Sequence, residues 1–275
     1  MNYLFTLCGR AGSKGVTNKN IREMNGVPLP YYTLAAVFLF KKAHPQDEIT
    51  VALNTDSEEL VMLIRRQRAM PDIHIVERRA DQTGDRTAKV DVIQDTYLHC
   101  CKDTGRSFDM VIDLDLTSPM RRQEDIEHAV EMFRSDLASD LVCSVVPARR
   151  SPYFNMVEER GDYYRKICQS DYTSRQQAPK AYELNASIYV YSPSFLESEI
   201  DKTILEYRCK IVQMPDYLVL DIDSERDFKL MSHMMEYFKT EDRELERVIE
   251  AARRLYEAAQ VQEEMKFNLT GGGAV

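Results

Sequence analysis

Short apolar runs alternate along the chain with longer stretches whose apolar residues recur every three or four positions. Tyr3–Cys8, Ile49–Asn54, Ile73–Val76, Met110–Leu114 and Leu141–Val146 are of the first kind and predict strands. Tyr31–Lys42, Ser57–Arg68, Ala88–Cys101 and Glu124–Arg134 are of the second kind and predict helices. Ser57 stands where an N-cap belongs, with Leu60, Val61 and Ile64 behind it. Alternation at this interval reads as βαβ units with right-handed crossovers. The expected fold is α/β: a Rossmann-like, mostly parallel sheet with flanking helices. Ala148–Pro179 breaks the pattern, being polar, aromatic and turn-rich with a hairpin tip at Glu158–Asp162, and reads as an inserted arm. Ser187–Tyr191 returns as a strand, Pro193–Ser198 as a short helix and Leu218–Ile222 as a last strand, with a helix from Ser224. Glu241–Lys266 is charged, with a narrow apolar stripe through Leu245, Val248, Ile249, Ala252, Leu255 and Ala259, and predicts a long helix. Residues 1–238 are thus expected to form one domain carrying the arm at 148–179. Residues 239–275 form a helical C-terminal extension ending in a flexible Gly271-Gly272-Gly273 tail.

Composition narrows the class. The 275 residues carry 36 Lys+Arg against 45 Asp+Glu, a net charge of −9, which argues against a coat for nucleic acid. A hydrophobic content of 44% is that of a globular protein. No run of 18 apolar residues spans a bilayer, and no basic segment followed by an apolar core opens the chain, so neither membrane nor secretion is expected. The six cysteines have no C-x-x-C or zinc spacing and read as reduced thiols of a cytoplasmic protein.

Three segments carry candidate chemistry. The first is the loop Gly9-Arg10-Ala11-Gly12-Ser13-Lys14-Gly15 after the first strand. It matches neither G-x-G-x-x-G nor G-x-x-x-x-G-K-[ST]. It does gather Arg10, Lys14 and Lys19, and like charges in one tight turn call for an anion such as a triphosphate unless the turn is simply solvated. The second is Asp221-Ile222-Asp223. On extended backbone both carboxylates face one side and suit a hard cation such as Mg²⁺, although Asp223 before Ser224 would equally serve the next helix end. The third is Asp113–Arg121, off the C-terminal end of a strand, where open α/β sheets bind ligands and where an ordinary turn is the plain alternative. Arg78-Arg79 ends another strand with the same ambiguity. The five histidines form no ligand set, and no G-x-S-x-G occurs.

Taken together, these segments resemble the sialic-acid-type cytidylyltransferases, which make CMP-activated nonulosonic acids. The resemblance covers about residues 1–238. Its carriers are the 7–15 loop with Lys19-Asn20, the Leu116–Arg121 segment, Ser174-Arg175-Gln176-Gln177 with Pro179, Asn185–Tyr189, and Asp221-Ile222-Asp223-Ser224. It implies that Gly9, Arg10, Gly12, Ser13, Lys14, Asn20 and Arg78 bind CTP. Arg10, Lys14, Lys19 and Asp223 act in catalysis, and Asp221 and Asp223 hold Mg²⁺. Asp115, Thr117, Ser118, Arg175, Gln176, Glu183 and Asn185 would lie along the sugar acid, and the arm would join two copies into a homodimer.

Asp115-Leu116 and Glu183 stand where the sialic acid enzymes carry Gln and Arg. The words at Gly84–Lys89, Val146–Asn155 and Asn185–Ser187 look more like the CMP-legionaminic acid synthetase branch. Neuraminate, pseudaminate and Kdo enzymes share the chemistry. A nucleotide-binding assembly subunit using the Glu241–Lys266 helix is the non-enzyme alternative, but it has no reason to keep Arg10, Lys14, Lys19, Asp221 and Asp223 together.

Overall fold

A computed structural model describes residues 1–12, 15–84 and 87–270. Ser13, Lys14, Asp85, Arg86 and the glycine tail therefore lie outside the described residues. The chain begins with β1 (Asn2–Cys8), a small hairpin of β2 (Glu23–Met24) and β3 (Val27–Pro28), and α1 (Leu29–Ala43). There follow β4 (Glu48–Thr55), α2 (Glu58–Arg66), β5 (His74–Glu77), α3 (Lys89–Thr104), β6 (Met110–Leu114), α4 (Gln123–Arg134) and β7 (Leu141–Pro147). The arm contributes β8 (Val157–Arg160) and β9 (Tyr163–Lys166), and β10 (Tyr182–Tyr191) returns to the sheet. The chain closes with α5 (Pro193–Leu196), β11 (Cys209–Gln213), α6 (Glu225–Glu241) and α7 (Arg243–Thr270).

The main sheet has seven strands in the order β11-β7-β10-β6-β1-β4-β5. All neighbouring pairs are parallel except those of β10, which runs antiparallel to both β6 and β7. Alternation along the strands sends side chains to two cores. Tyr3, Phe5, Leu7, Ile112 and Leu114 face one core with α1 and α4, while Leu4, Ala52, Val111 and Leu141 face the other with Val90, Ile93 and Tyr97 of α3. Ser57 caps α2 by accepting from the Leu60 N–H, as its position in the sequence predicts. Gly105, at φ 64°, ends α3 in the left-handed conformation.

α1 is buried around nearly its whole circumference because α7 lies across its outer side. Tyr256 of α7 packs edge-on against Tyr31 of α1 at 5.1 Å, and its hydroxyl donates to Glu23 of the hairpin. Leu245, Val248, Ile249, Ala252 and Ala259 of the expected stripe are buried there, so the long helix is part of the domain's own packing.

Two expectations for the sheet fail. Residues 218–222 do not form a strand: Leu218 ends a 3₁₀ turn begun at Asp216, Val219 keeps a helical backbone conformation, and 219–223 join no sheet. The last strand is instead β11, parallel to β7. It lies at the sheet edge with Ile211 38% exposed, and Lys210 and Gln213 hide its alternation. β10 also begins five residues before the predicted strand. A register shift between Leu184 and Tyr189, with Ala186 at φ 52°, interrupts its pairing with β7. Among the described residues no helix is long and apolar enough to cross a membrane.

Candidate active site

The C-terminal ends of β1, β4, β5 and β6 open on one side of the sheet and deliver the loops after them to a single cleft of about 300 Å³. Its walls include Arg10, Lys19, Asn20, Arg78, Lys89, Asp115, Thr117, Asp221 and Asp223. The basic loop and the Asp-x-Asp segment, some two hundred residues apart in sequence, therefore meet across one cavity.

Close backbone approach makes the meeting possible. The Gly9 N–H donates to the Asn54 carbonyl, and a side chain at Gly9 would strike Leu60 and Leu116. Gly15 lies so near Asp223 that an added Cβ would stand 1.9 Å from its carbonyl oxygen. Asn20 is buried and donates to the Arg10 carbonyl at 3.0 Å, bracing the loop from behind. The Ala11 N–H donates to Asp56 at 2.7 Å. Lys19 reaches across the junction, donating to the Ile222 carbonyl at 2.5 Å with its Nζ 3.6 Å from Asp223. The Ile222 N–H donates to the Thr117 carbonyl, tying the same segment to the turn after β6.

Two arginines of the cleft also donate to neutral groups. Arg10 donates to the Thr83 carbonyl at 3.3 Å, and the buried Arg78 donates to the Asn54 side chain at 2.9 Å. Asp221 is the unbalanced acid. Burial, with Asp223 and Asp115 nearby, raises its carboxyl above the ordinary range. Two hard-oxygen ligands on one short segment, one of them disfavoured when charged, are a donor set that a divalent cation would relieve.

Several residues expected along the sugar acid are placed elsewhere. Asp115 and Thr117 line the cleft. Ser118 is buried and donates to the Asn185 carbonyl. Asn185 is buried too, its amide accepting from Ser144 at 2.6 Å and donating to the Leu218 carbonyl, so it joins β10 to neighbouring elements rather than facing the cleft. Glu183 accepts from the Arg149 N–H. Arg175 donates to the Ala148 carbonyl at 2.6 Å and, with Gln176, Arg150 and Lys180, lines a separate cavity of about 580 Å³ at the base of the arm. The physical reason is that β10 enters the sheet early, which turns Asn185 inward and carries the preceding segment away from β6. Gly12, exposed at φ 67°, lines no wall of the cleft, and Ser13 and Lys14 lie outside the described residues.

The cleft also contains a residue that sequence reasoning passed over. Lys89 places its ammonium 2.7 Å from both Asp113 and Asp115. Burial opposes its charge, but the two carboxylates outweigh that and raise it well above the ordinary lysine range. Asp115 feels burial as well, yet Lys89 and two hydrogen bonds from Thr117 bring its carboxyl down to about 2. A signal was present in the sequence: Lys89 opens α3, where the helix dipole disfavours a cation.

Behind Asp115 lies Arg121, the largest fully buried side chain. It donates to the Asp115 and Ser187 carbonyls at 2.8 Å each, to the Ser187 hydroxyl at 3.0 Å and to the Thr33 hydroxyl at 3.4 Å. Burial lowers it to about 10 despite nearby carboxylates.

Comparison with known proteins gives a consistent picture. A family model described as cytidylyltransferase matches residues 7–267. The chain is 35% identical over 235 residues to CMP-N,N'-diacetyllegionaminic acid synthase of Campylobacter jejuni, spanning 84% of this chain and 94% of that protein. It is 33% identical, with the same coverage, to post-translational flagellin modification protein B of Campylobacter coli. Among solved structures, a CMP:2-keto-3-deoxy-manno-octonic acid synthetase complexed with CTP superposes with a TM-score of 0.58 at 13% identity, covering 86% of this chain and 99% of that one, a likeness of fold.

Proposed function

Because the chain belongs to the cytidylyltransferase family, we propose that it transfers CMP from CTP to the anomeric hydroxyl of a nine-carbon 2-keto sugar acid of the legionaminic type. The observation that carries the reading is the single cleft in which Arg10 and Lys19 face Asp221 and Asp223. A phosphate-binding pole and a carboxylate pole in one cavity are the parts that nucleotidyl transfer needs.

In the reaction the anomeric oxygen forms a bond to the α-phosphorus in line with the departing oxygen. The bond from the α-phosphorus to the bridging oxygen breaks, the hydroxyl proton passes to solvent water and pyrophosphate leaves with the bridging oxygen. Arg10 and Lys19 line the cleft and in this reading meet the charge that gathers on the phosphates, where preorganised donors each contribute roughly 3–4 kcal/mol. Asn20 braces the loop that presents them. Asp221 and Asp223 would hold Mg²⁺, which supplies charge neutralisation and a lowered hydroxyl pKa when bound. Asp115 and Thr117 line the acceptor end.

Residues 1–238 form the catalytic domain in this reading and 239–275 its extension. The arm at 148–179 is the contact for a second copy, supported by Tyr163 and Tyr164 on its hairpin, 74% and 69% exposed. Light scattering of the purified protein, with and without both tyrosines replaced by Ser, measures that contact.

The deciding experiment is mass spectrometry of products formed from CTP, Mg²⁺ and a panel of legionaminic, neuraminic, pseudaminic and Kdo-type acids. A CMP-legionaminic product is expected. A product only with another acid corrects the substrate, and no product with any of them overturns the reading.

A further inference from the structure

We infer that Lys89 is a positioning residue for the acceptor half of the cleft: wedged between Asp113 and Asp115, it fixes Asp115 as a charged acceptor facing the sugar acid. This inference rests on the sugar-acid reading above.

The geometry joins the interior of the sheet to the cleft wall. Asp113 sits in β6 with no solvent exposure and accepts from the Thr6 hydroxyl at 2.8 Å. Asp115 is two residues on, at the mouth of the cleft, with its side chain 18% exposed. Lys89 bridges the two at 2.7 Å each, and the Tyr189 ring lies 5.7 Å from its Nζ. The second Asp115 oxygen accepts from both the N–H and the hydroxyl of Thr117, at 2.7 Å each. Held at both oxygens, the carboxylate is fixed in place on the wall of the cavity, with one oxygen left able to accept a further hydrogen bond.

Folding gives little reason for this cluster. Asp113 is fully buried and Lys89 only one-third exposed, and an ion pair largely withdrawn from water rarely stabilises more than apolar residues of the same volume would. Lys89 also stands at the first position of α3, where the exposed N–H groups repel it and Ala88 offers no side-chain cap. Function supplies a reason. A charged carboxylate only accepts hydrogen bonds, so it selects an acceptor sugar that presents N–H or O–H donors, as an N-acylated amino sugar acid does.

Lys89 keeps Asp115 in that state. Cys8 of β1 and Tyr189 of β10 face the same cluster but are pushed up by burial and stay neutral. Arg121 meets Asp115 through its carbonyl, while Asp113 and Asp221 add negative charge nearby. Without the Lys89 ammonium, burial and these acids would favour the protonated form of Asp115, which donates from one oxygen and no longer matches the same sugar groups.

The test compares the wild type with Lys89→Met/Asp113→Asn, which removes the ammonium together with the buried carboxylate it neutralises, and with Lys89→Arg and Asp115→Asn. Initial pyrophosphate release with N,N'-diacetyllegionaminic acid is followed from about pH 5 to 8.5, and CTP affinity is measured by calorimetry. The double variant is expected to keep CTP affinity within about twofold. Its sugar-acid kcat/KM, divided by that of the wild type, should fall about tenfold per pH unit below a new acidic pKa. Asp115→Asn should give a low but pH-independent ratio, and Lys89→Arg a partial rescue with no acidic limb. A flat ratio for the double variant, or equal losses for CTP and sugar acid, would leave Lys89 as a structural ion and overturn the inference alone. Absence of wild-type turnover with every acid of the panel would sink the functional reading and the inference with it.

Discussion

Gly15 offers the most direct test of how the site is assembled. A methyl group added there would stand 1.9 Å from the Asp223 carbonyl oxygen, whereas real Cβ atoms keep at least 3.0 Å, and the obstacle is backbone rather than a side chain that could rotate. The basic loop and the Asp221–Asp223 segment would have to part by about an ångström. A misplacement of that size between reacting groups costs on the order of a hundredfold in rate. Gly15→Ala is therefore expected to lower kcat/KM for pyrophosphate release about a hundredfold while leaving the thermal midpoint near that of the wild type, because the strain falls on exposed loops rather than on either core. Gly12→Ala is the control. Gly12 has φ 67° and nothing within 4 Å of an added Cβ, so its substitution carries only local backbone strain of roughly 1 kcal/mol. Gly15→Ala with activity within about threefold of the wild type would mean that contact between the two segments does not set the reacting geometry.

Three further outcomes follow from the same geometry. Asp223→Asn is expected to abolish pyrophosphate release at saturating Mg²⁺ with unchanged circular dichroism, and unaltered turnover would remove Asp223 from the proposed metal site. Arg121→Ala leaves the buried carbonyls of Asp115 and Ser187 without their donor and should cost about 3–5 kcal/mol in urea unfolding; a loss below about 1 kcal/mol would show that water or repacking replaces the guanidinium. Asp115 ionises at about 2 in the fold against an ordinary 3.8, so its charge favours the native state above that ordinary value and the contribution fades as pH falls toward 2. Acid titration by circular dichroism should therefore be shallower over that interval in Asp115→Asn than in the wild type, and superimposable curves would refute the depressed ionisation.

The sequence by itself determined the α/β class, because strand and helix periods differ and each is written in nearby residues. It located six of the seven sheet strands, the Ser57 cap and the arm's hairpin, and it marked Arg10, Lys19, Asp221 and Asp223 as chemically unusual. What it missed was non-local. β11 is an edge strand whose polar face masks its alternation, and 218–222 is apolar enough to imitate a strand although its Ile222 N–H goes to the Thr117 turn. Asn185 and Ser118 look like ligand residues in a motif, yet the bulged β10 buries Asn185, and Ser118 donates to its carbonyl. Only the tertiary structure could bring Gly15 against Asp223 or set Lys89 between Asp113 and Asp115, because contact between distant segments is fixed by how the sheet stacks its loops along one edge, and periodicity along the chain holds no record of that distance.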